Sequence, residues 1–174
     1  MAGRDHQVLV LMGSDSDLET MMPAAKTLRE FEVGFEMRVL SVHRAPDLAL
    51  EAASTALDTG FRVIICGAGG AAHLAGVVAS KTTLPVIGVP IASGALHGVD
   101  ALYATVQMPP GVPVATVAVG GARNAALLAV EILALSDERL AKALASYKES
   151  LVSQVRAKDA RVQEALRREG LQPE

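Results

Sequence analysis

The chain has 174 residues, enough for one domain with a real hydrophobic core, and a net charge of −3 from 16 Lys and Arg against 19 Asp and Glu. That balance argues against a nucleic-acid surface, which needs a basic excess, and no apolar run reaches the roughly 18 residues of a membrane span. A single cysteine, Cys66, excludes an internal disulfide framework, and no secretory-type leader follows Met1, so a cytoplasmic protein is expected.

Just over half of the residues are hydrophobic but only 3% are aromatic, so the core must be built from Ala, Val, Leu and Ile. In chain order, Gln7–Met12 reads as a buried strand and Ser16–Glu32 as a helix with Leu18, Met21, Met22, Ala25 and Leu28 on one side. Pro23 is tolerable there only within the first turns. Phe35–Leu40 is the second strand. Pro46–Thr59 is the second helix, with Pro46 in its first turn and Gly60 just past its end. Arg62–Cys66, Pro85–Val89 and Val114–Val119 are further strands. Ala71–Thr82, Gly98–Val106 and Ala122–Leu135 are the helices beside them. Alternation of this kind predicts a flavodoxin-like α/β/α sandwich around a five-stranded parallel sheet, in the order 2-1-3-4-5.

From Ser136 the character changes. Ser136 and Asp137 are N-cap candidates, and Leu140, Leu144, Tyr147, Leu151 and Val155 follow at helical spacing. Residues 1–135 are expected to form the catalytic α/β domain. Residues 136–174 are expected to form a helical extension packing on its own sheet or a neighbouring subunit, with Pro173-Glu174 frayed. From Val63 to Ala122 only Lys81 and Asp100 are charged, so that stretch is expected to be core or covered by another subunit.

Three loops rich in Gly, Ser and His each follow a strand: Gly13–Asp17, Ser41–Pro46 and Gly67–His73. The carboxyl ends of parallel strands share one edge, so the loops converge on one crevice. In the first, amides at a helix N-terminus suit a phosphate, Ser14 and Ser16 add hydroxyls, and Asp17 can accept from a ribose; equally, Ser14 or Ser16 simply caps the helix. In the second, Arg44 can fork onto a phosphate, and His43 stands off any apolar face, flanked by Ser41. An imidazole can give and take a proton near neutral pH, although a lone histidine is commonly structural. In the third, glycines permit close backbone approach or tight packing, and His73 can touch a ligand or cap its neighbours. Cys66 reads as a core residue, and His6 and His97 have no such company. No zinc-type spacing, nucleophile elbow or dinucleotide fingerprint occurs, so no metal is expected.

In order, Gly13-Ser14-Asp15-Ser16-Asp17, Ser41-Val42-His43-Arg44-Ala45-Pro46, Gly67-Ala68-Gly69-Gly70-Ala71-Ala72-His73-Leu74 and Val106-Gln107-Met108-Pro109 resemble the N5-carboxyaminoimidazole ribonucleotide mutases, the bacterial type of the aminoimidazole ribonucleotide carboxylase family. The similarity runs through Asn124–Ala129. The resemblance implies an isomerase of purine (IMP) biosynthesis that moves a carboxyl group from the exocyclic nitrogen to C4 of the imidazole. It implies no metal or organic cofactor. It places Ser14, Asp17 and Arg44 on the ribose phosphate, with Ser16 and Ser41 beside them, and makes His43 the catalytic acid and base. Ala68, Gly69, His73 and Leu74 would line the base and carboxylate pocket. It further implies a homo-octamer, linked in its pathway to the ATP-dependent synthase that makes the N5-carboxylated nucleotide.

Two positions depart from the family pattern: Ala75 replaces a common proline, and the Gly120–Asn124 turn is short and brings in Arg123. The rival readings are a direct carboxylase of aminoimidazole ribonucleotide using CO2, and a non-enzymatic flavodoxin-like nucleotide-binding module. The module leaves His43 beside Arg44 without a purpose.

Overall fold

The structure, a computed structural model, describes residues 6–171, so the frayed end expected at Pro173-Glu174 lies outside the described residues. Five parallel strands form one sheet in the order β2-β1-β3-β4-β5. They are β1 His6–Met12, β2 Gly34–Val39, β3 Val63–Gly69, β4 Val86–Ile91 and β5 Ala115–Thr116. Helices α1 Leu18–Glu30, α2 Pro46–Thr55, α3 Leu74–Ala79, α4 Val99–Val106 and α5 Ala122–Ala134 alternate with them, and α6 Glu138–Arg168 follows. The expected sandwich and strand order are both present.

Alternation along β1 and β3 divides the core between the two faces. Leu11 pairs with Cys66, and Met12 with Gly67. Leu9, Leu11, Ile64 and Cys66 join Ala49 and Ala53 of α2 and Leu74, Ala75 and Val78 of α3 in one buried cluster. On the other face Met21 of α1 lies so close over Gly67 that a Cβ there would collide with its sulfur. On the α2 and α3 face, Thr105 of α4 fills the space above Gly88 of β4, near Ala75. Small residues in the middle strands therefore let helices sit close to the sheet, as a core with few aromatics requires.

Several elements differ from expectation for local reasons. Residues Asp15–Asp17 form a 3-10 turn before α1. The buried stripe of α1 is Met21, Ala24, Thr27 and Leu28, while Leu18 is 42% exposed. Pro23 lies inside α1 on its exposed side. Strand β3 runs on through Gly69, and α3 begins only at Leu74. Gly70 has φ +59, and Ala72 N and His73 N donate to Gly70 O and Ala71 O, which holds this segment in tight turns. Strand β5 is reduced to two residues, although Val117 N still donates to Gly88 O and Gly120 N to Pro90 O.

The charge-poor stretch supplies the buried strands β3 and β4. It also leaves Leu96, Val99, Tyr103, Val106 and Val119 exposed, and on α4 the spacing of Val99, Tyr103 and Val106 places them on one side. At the β2 edge of the sheet Arg38 and Glu36 pair at 3.6 Å in the open.

The chain divides into two compact units after Leu133. In the second, Asp137 caps α6 by accepting from Arg139 N at 2.9 Å and Leu140 N at 3.2 Å. Leu140 is buried, Leu144 and Tyr147 are half-buried, and Leu151, Val152, Val155 and Val162 are exposed.

Candidate active site

The carboxyl ends of β1 to β4 open onto a cavity of about 460 Å³. That volume suits a ligand of nucleotide size. Every residue singled out from the sequence lines it except His73: Ser14, Ser16 and Asp17 after β1, Ser41, His43 and Arg44 after β2, Ala68 and Gly69 at the end of β3, and Leu74 opening α3.

The first loop is built by its own hydrogen bonds. Ser14 has extended backbone and caps the 3-10 turn: its hydroxyl accepts from Ser16 N, while Asp17 Oδ2 accepts from Ser14 N at 3.0 Å. Ser14 therefore caps its turn and also lines the cavity. Partial burial holds the Asp17 carboxyl above the usual carboxylate range; amides of Ser14 and Gly13 oppose the shift, and Asp15 adds to it.

Arg44 is the one permanent cation among the lining residues. Its Nη2 donates to Gly13 O at 3.1 Å, and its backbone N and Nε approach Ser41 Oγ at 3.3 and 3.4 Å. The second loop thus reaches across to the end of β1 and sets a guanidinium beside the capped turn. Gly13 N in turn donates to Gly67 O at 3.2 Å, joining the first loop to β3.

His73 occupies the position before α3 without capping it. It meets the cavity through His43: His43 Nε2 lies 2.9 Å from His73 Nδ1, with the rings edge to face at 82°. His73 thus stands behind His43 at the edge of the cavity, where the turns after Gly70 bring the two rings together. Both imidazoles are exposed. Cys66, fully buried, has its thiol pushed far up by burial and is chemically silent.

Sequence reasoning missed Ser93, which lines the cavity from a fourth loop, behind β4. The signal was present, since Ser93-Gly94 follows a strand just as Gly13-Ser14 does. The two departures from the family pattern stand apart from the cavity. Ala75 is buried in the core, and Arg123 pairs with Glu30 at 3.6 Å. Among the described residues no cluster of His, Cys, Asp and Glu is placed to hold a metal ion, and no helix is long and apolar enough to cross a membrane.

The sequence pattern described as AIR carboxylase matches residues 7–154. The N5-carboxyaminoimidazole ribonucleotide mutase of Pyrococcus abyssi is 56% identical over 145 residues, 83% of each chain. That of Mycobacterium leprae is 54% identical over 160 residues, covering 92% of this chain and 94% of the other. The crystal structure of Treponema denticola PurE superposes with a TM-score of 0.80 at 30% identity, over 89% of this chain and 97% of the other.

Proposed function

Because the chain belongs to the AIR carboxylase family, we propose that it is an N5-carboxyaminoimidazole ribonucleotide mutase acting in purine biosynthesis. The observation that carries the catalytic reading is one cavity with Arg44 and the capped Ser14–Asp17 turn at one end and His43 within reach of the rest.

Arg44 and the turn hold the ribose phosphate, with Asp17 accepting from a ribose hydroxyl. The N–CO2 bond of the carbamate then breaks as protonated His43 gives its proton to the exocyclic nitrogen, leaving CO2 and the aminoimidazole nucleotide. Ring carbon C4 attacks CO2, forming the new C–C bond, and His43 removes the C4 proton. One proton leaves the imidazole and one returns, so the cycle needs no oxidant, reductant or outside base. Ala68 and Leu74 wall the site, which keeps CO2 beside the ring and makes its recapture effectively intramolecular.

The protein works in the cytoplasm as a homo-octamer, fed by the ATP-dependent synthase of the N5-carboxylated nucleotide. Residues 1–135 carry the chemistry, and the 136–174 extension packs on a neighbouring subunit. The open apolar sides of α4 and α6 support that assembly. Light scattering of the purified protein tests it, and a stable monomer at micromolar concentration overturns it.

The reaction is tested by incubating the protein with N5-carboxyaminoimidazole ribonucleotide and following its C4 isomer. Formation of the isomer without added CO2 or ATP is expected. Turnover only of aminoimidazole ribonucleotide with CO2 would instead make the protein a direct carboxylase, and binding without turnover would make it a nucleotide-binding module.

A further inference from the structure

Ser14 and Ser93 stand in matching positions with opposite outcomes. Each follows a strand, each precedes a 3-10 turn, and their backbones nearly coincide, with φ and ψ of −151 and 157 at Ser14 and −150 and 154 at Ser93. Ser14 folds its hydroxyl back onto its turn. Ser93 does not cap the turn it precedes.

The remaining cavity serines are similarly engaged. Ser14 Oγ donates to Asp15 Oδ1 at 3.1 Å, Ser16 Oγ lies 3.0 Å from Ser14 Oγ, and Ser41 Oγ accepts from Arg44. Ser93 alone of the four has a hydroxyl with no partner among the described residues.

Its place is fixed by packing. A Cβ on Gly69 would lie 2.9 Å from Ser93 Oγ and 3.3 Å from Ser93 Cβ. Glycine at the end of β3 thus makes room for this side chain, which rests over the β3 terminus. Sheet order sets its distance from the phosphate end: Arg44 binds the end of β1, and β3 separates β1 from β4. Two strand spacings amount to about 10 Å, which spans a ribose phosphate and leaves Ser93 beside the far side of an imidazole.

We propose that the Ser93 hydroxyl donates a hydrogen bond to the carboxyl group that migrates, on the reading that this protein is the mutase. A neutral donor suits that group. The carboxylate loses its charge as it becomes CO2, so a full cation there would stabilise the starting carbamate more than the transition state. The one permanent cation of the cavity, Arg44, lies at the opposite end, and Ser93 orients the carboxyl group and the CO2 it becomes without trapping either.

The test compares wild-type protein with Ser93→Ala and Ser93→Cys, which remove the strong donor, and Ser93→Thr, which keeps it. The readouts are isomerisation rate, the share of substrate lost as free CO2 and aminoimidazole ribonucleotide, and affinity for the carboxylated and decarboxylated nucleotides. Thermal melting confirms that each variant is folded. With Ser93→Ala and Ser93→Cys, isomerisation is expected to fall roughly ten- to hundredfold, the loss of a hydrogen bond to a charged group. The share of CO2 lost rises, affinity for the carboxylated nucleotide falls, and affinity for the decarboxylated one stays within about twofold; Ser93→Thr recovers part of the rate. Wild-type rates and partition in Ser93→Ala, or equal weakening toward both nucleotides, overturns the assignment. An inactive wild-type protein would instead remove the mutase reading on which it rests.

Discussion

His43 Nε2 and His73 Nδ1 are 2.9 Å apart, close enough to share one proton between two loops that are 30 residues apart in the chain. That bond leaves Nδ1 as the nitrogen of His43 free to meet a substrate, and it couples the tautomer of one ring to the other. A donor at His43 Nε2 requires a bare Nδ1 on His73, and the reverse arrangement reverses both.

His43→Asn should keep the fold, since the ring is exposed, and should lower kcat by roughly 10²- to 10⁴-fold, the usual contribution of a positioned acid and base. Circular dichroism and steady-state turnover check this together. Near-wild-type turnover by the folded variant would remove His43 from the chemistry.

His73→Ala should act through its partner. Turnover is expected to drop about tenfold with KM within about twofold, because the ring orients His43 rather than gripping ligand. Partial recovery of kcat with added imidazole is the matching readout. A large rise in KM at unchanged kcat would return His73 to direct substrate binding.

Arg44→Ala should weaken binding of the nucleotide by about ten- to a hundredfold while changing turnover at saturation far less. Arg44→Lys should rescue only part of the loss. A single ammonium cannot span Gly13 O and Ser41 Oγ and also present a fork to phosphate. Titration calorimetry separates the two variants.

Asp17 carries a pH signature. Its folded pKa is raised, chiefly by desolvation, so folding favours the protonated form. The associated stability is complete below the ordinary aspartate value and is lost as pH rises through the raised one. Asp17→Asn keeps an oxygen for the Ser14 amide, so its melting temperature should gain on wild type as pH rises from about 4 to 7. Melting curves at several pH values check the direction, and nucleotide affinity should fall in the same variant.

Gly67→Ala places a methyl group against the Met21 sulfur and should cost about 1–3 kcal/mol as overpacking. Met21→Ala should cost about 2–5 kcal/mol by opening a void. Combined, the two should cost less than their sum, since each relieves the other, and denaturant unfolding of the four proteins measures that coupling.

The strands were legible because apolar runs bounded by Gly, Pro and Ser have few other solutions. The loops were legible because each follows a strand whose end must lie at one edge. The α1 stripe was only partly legible: Met21 and Leu28 are buried as read, but Leu18, in the first turn of α1 directly after the 3-10 turn Asp15–Asp17, is exposed. The contact between His73 and His43 was not legible, because a glycine run does not announce which residue adopts φ +59. Ser93 passed unnoticed because it lacks a histidine or arginine beside it, and only the packing over Gly69 shows where its hydroxyl lies.

The two rims of the sheet end differently from its centre. One rim is β5, two residues long, and the other is β2, with its exposed Glu36–Arg38 pair. A stub and a charged border are poor templates for strand addition, so ladder-like polymerisation from either side is disfavoured even at high concentration. Any recognition between copies of this chain is left to helices and loops, whose side chains can specify a closed number of subunits. An open, hydrogen-bonded rim would set no such limit.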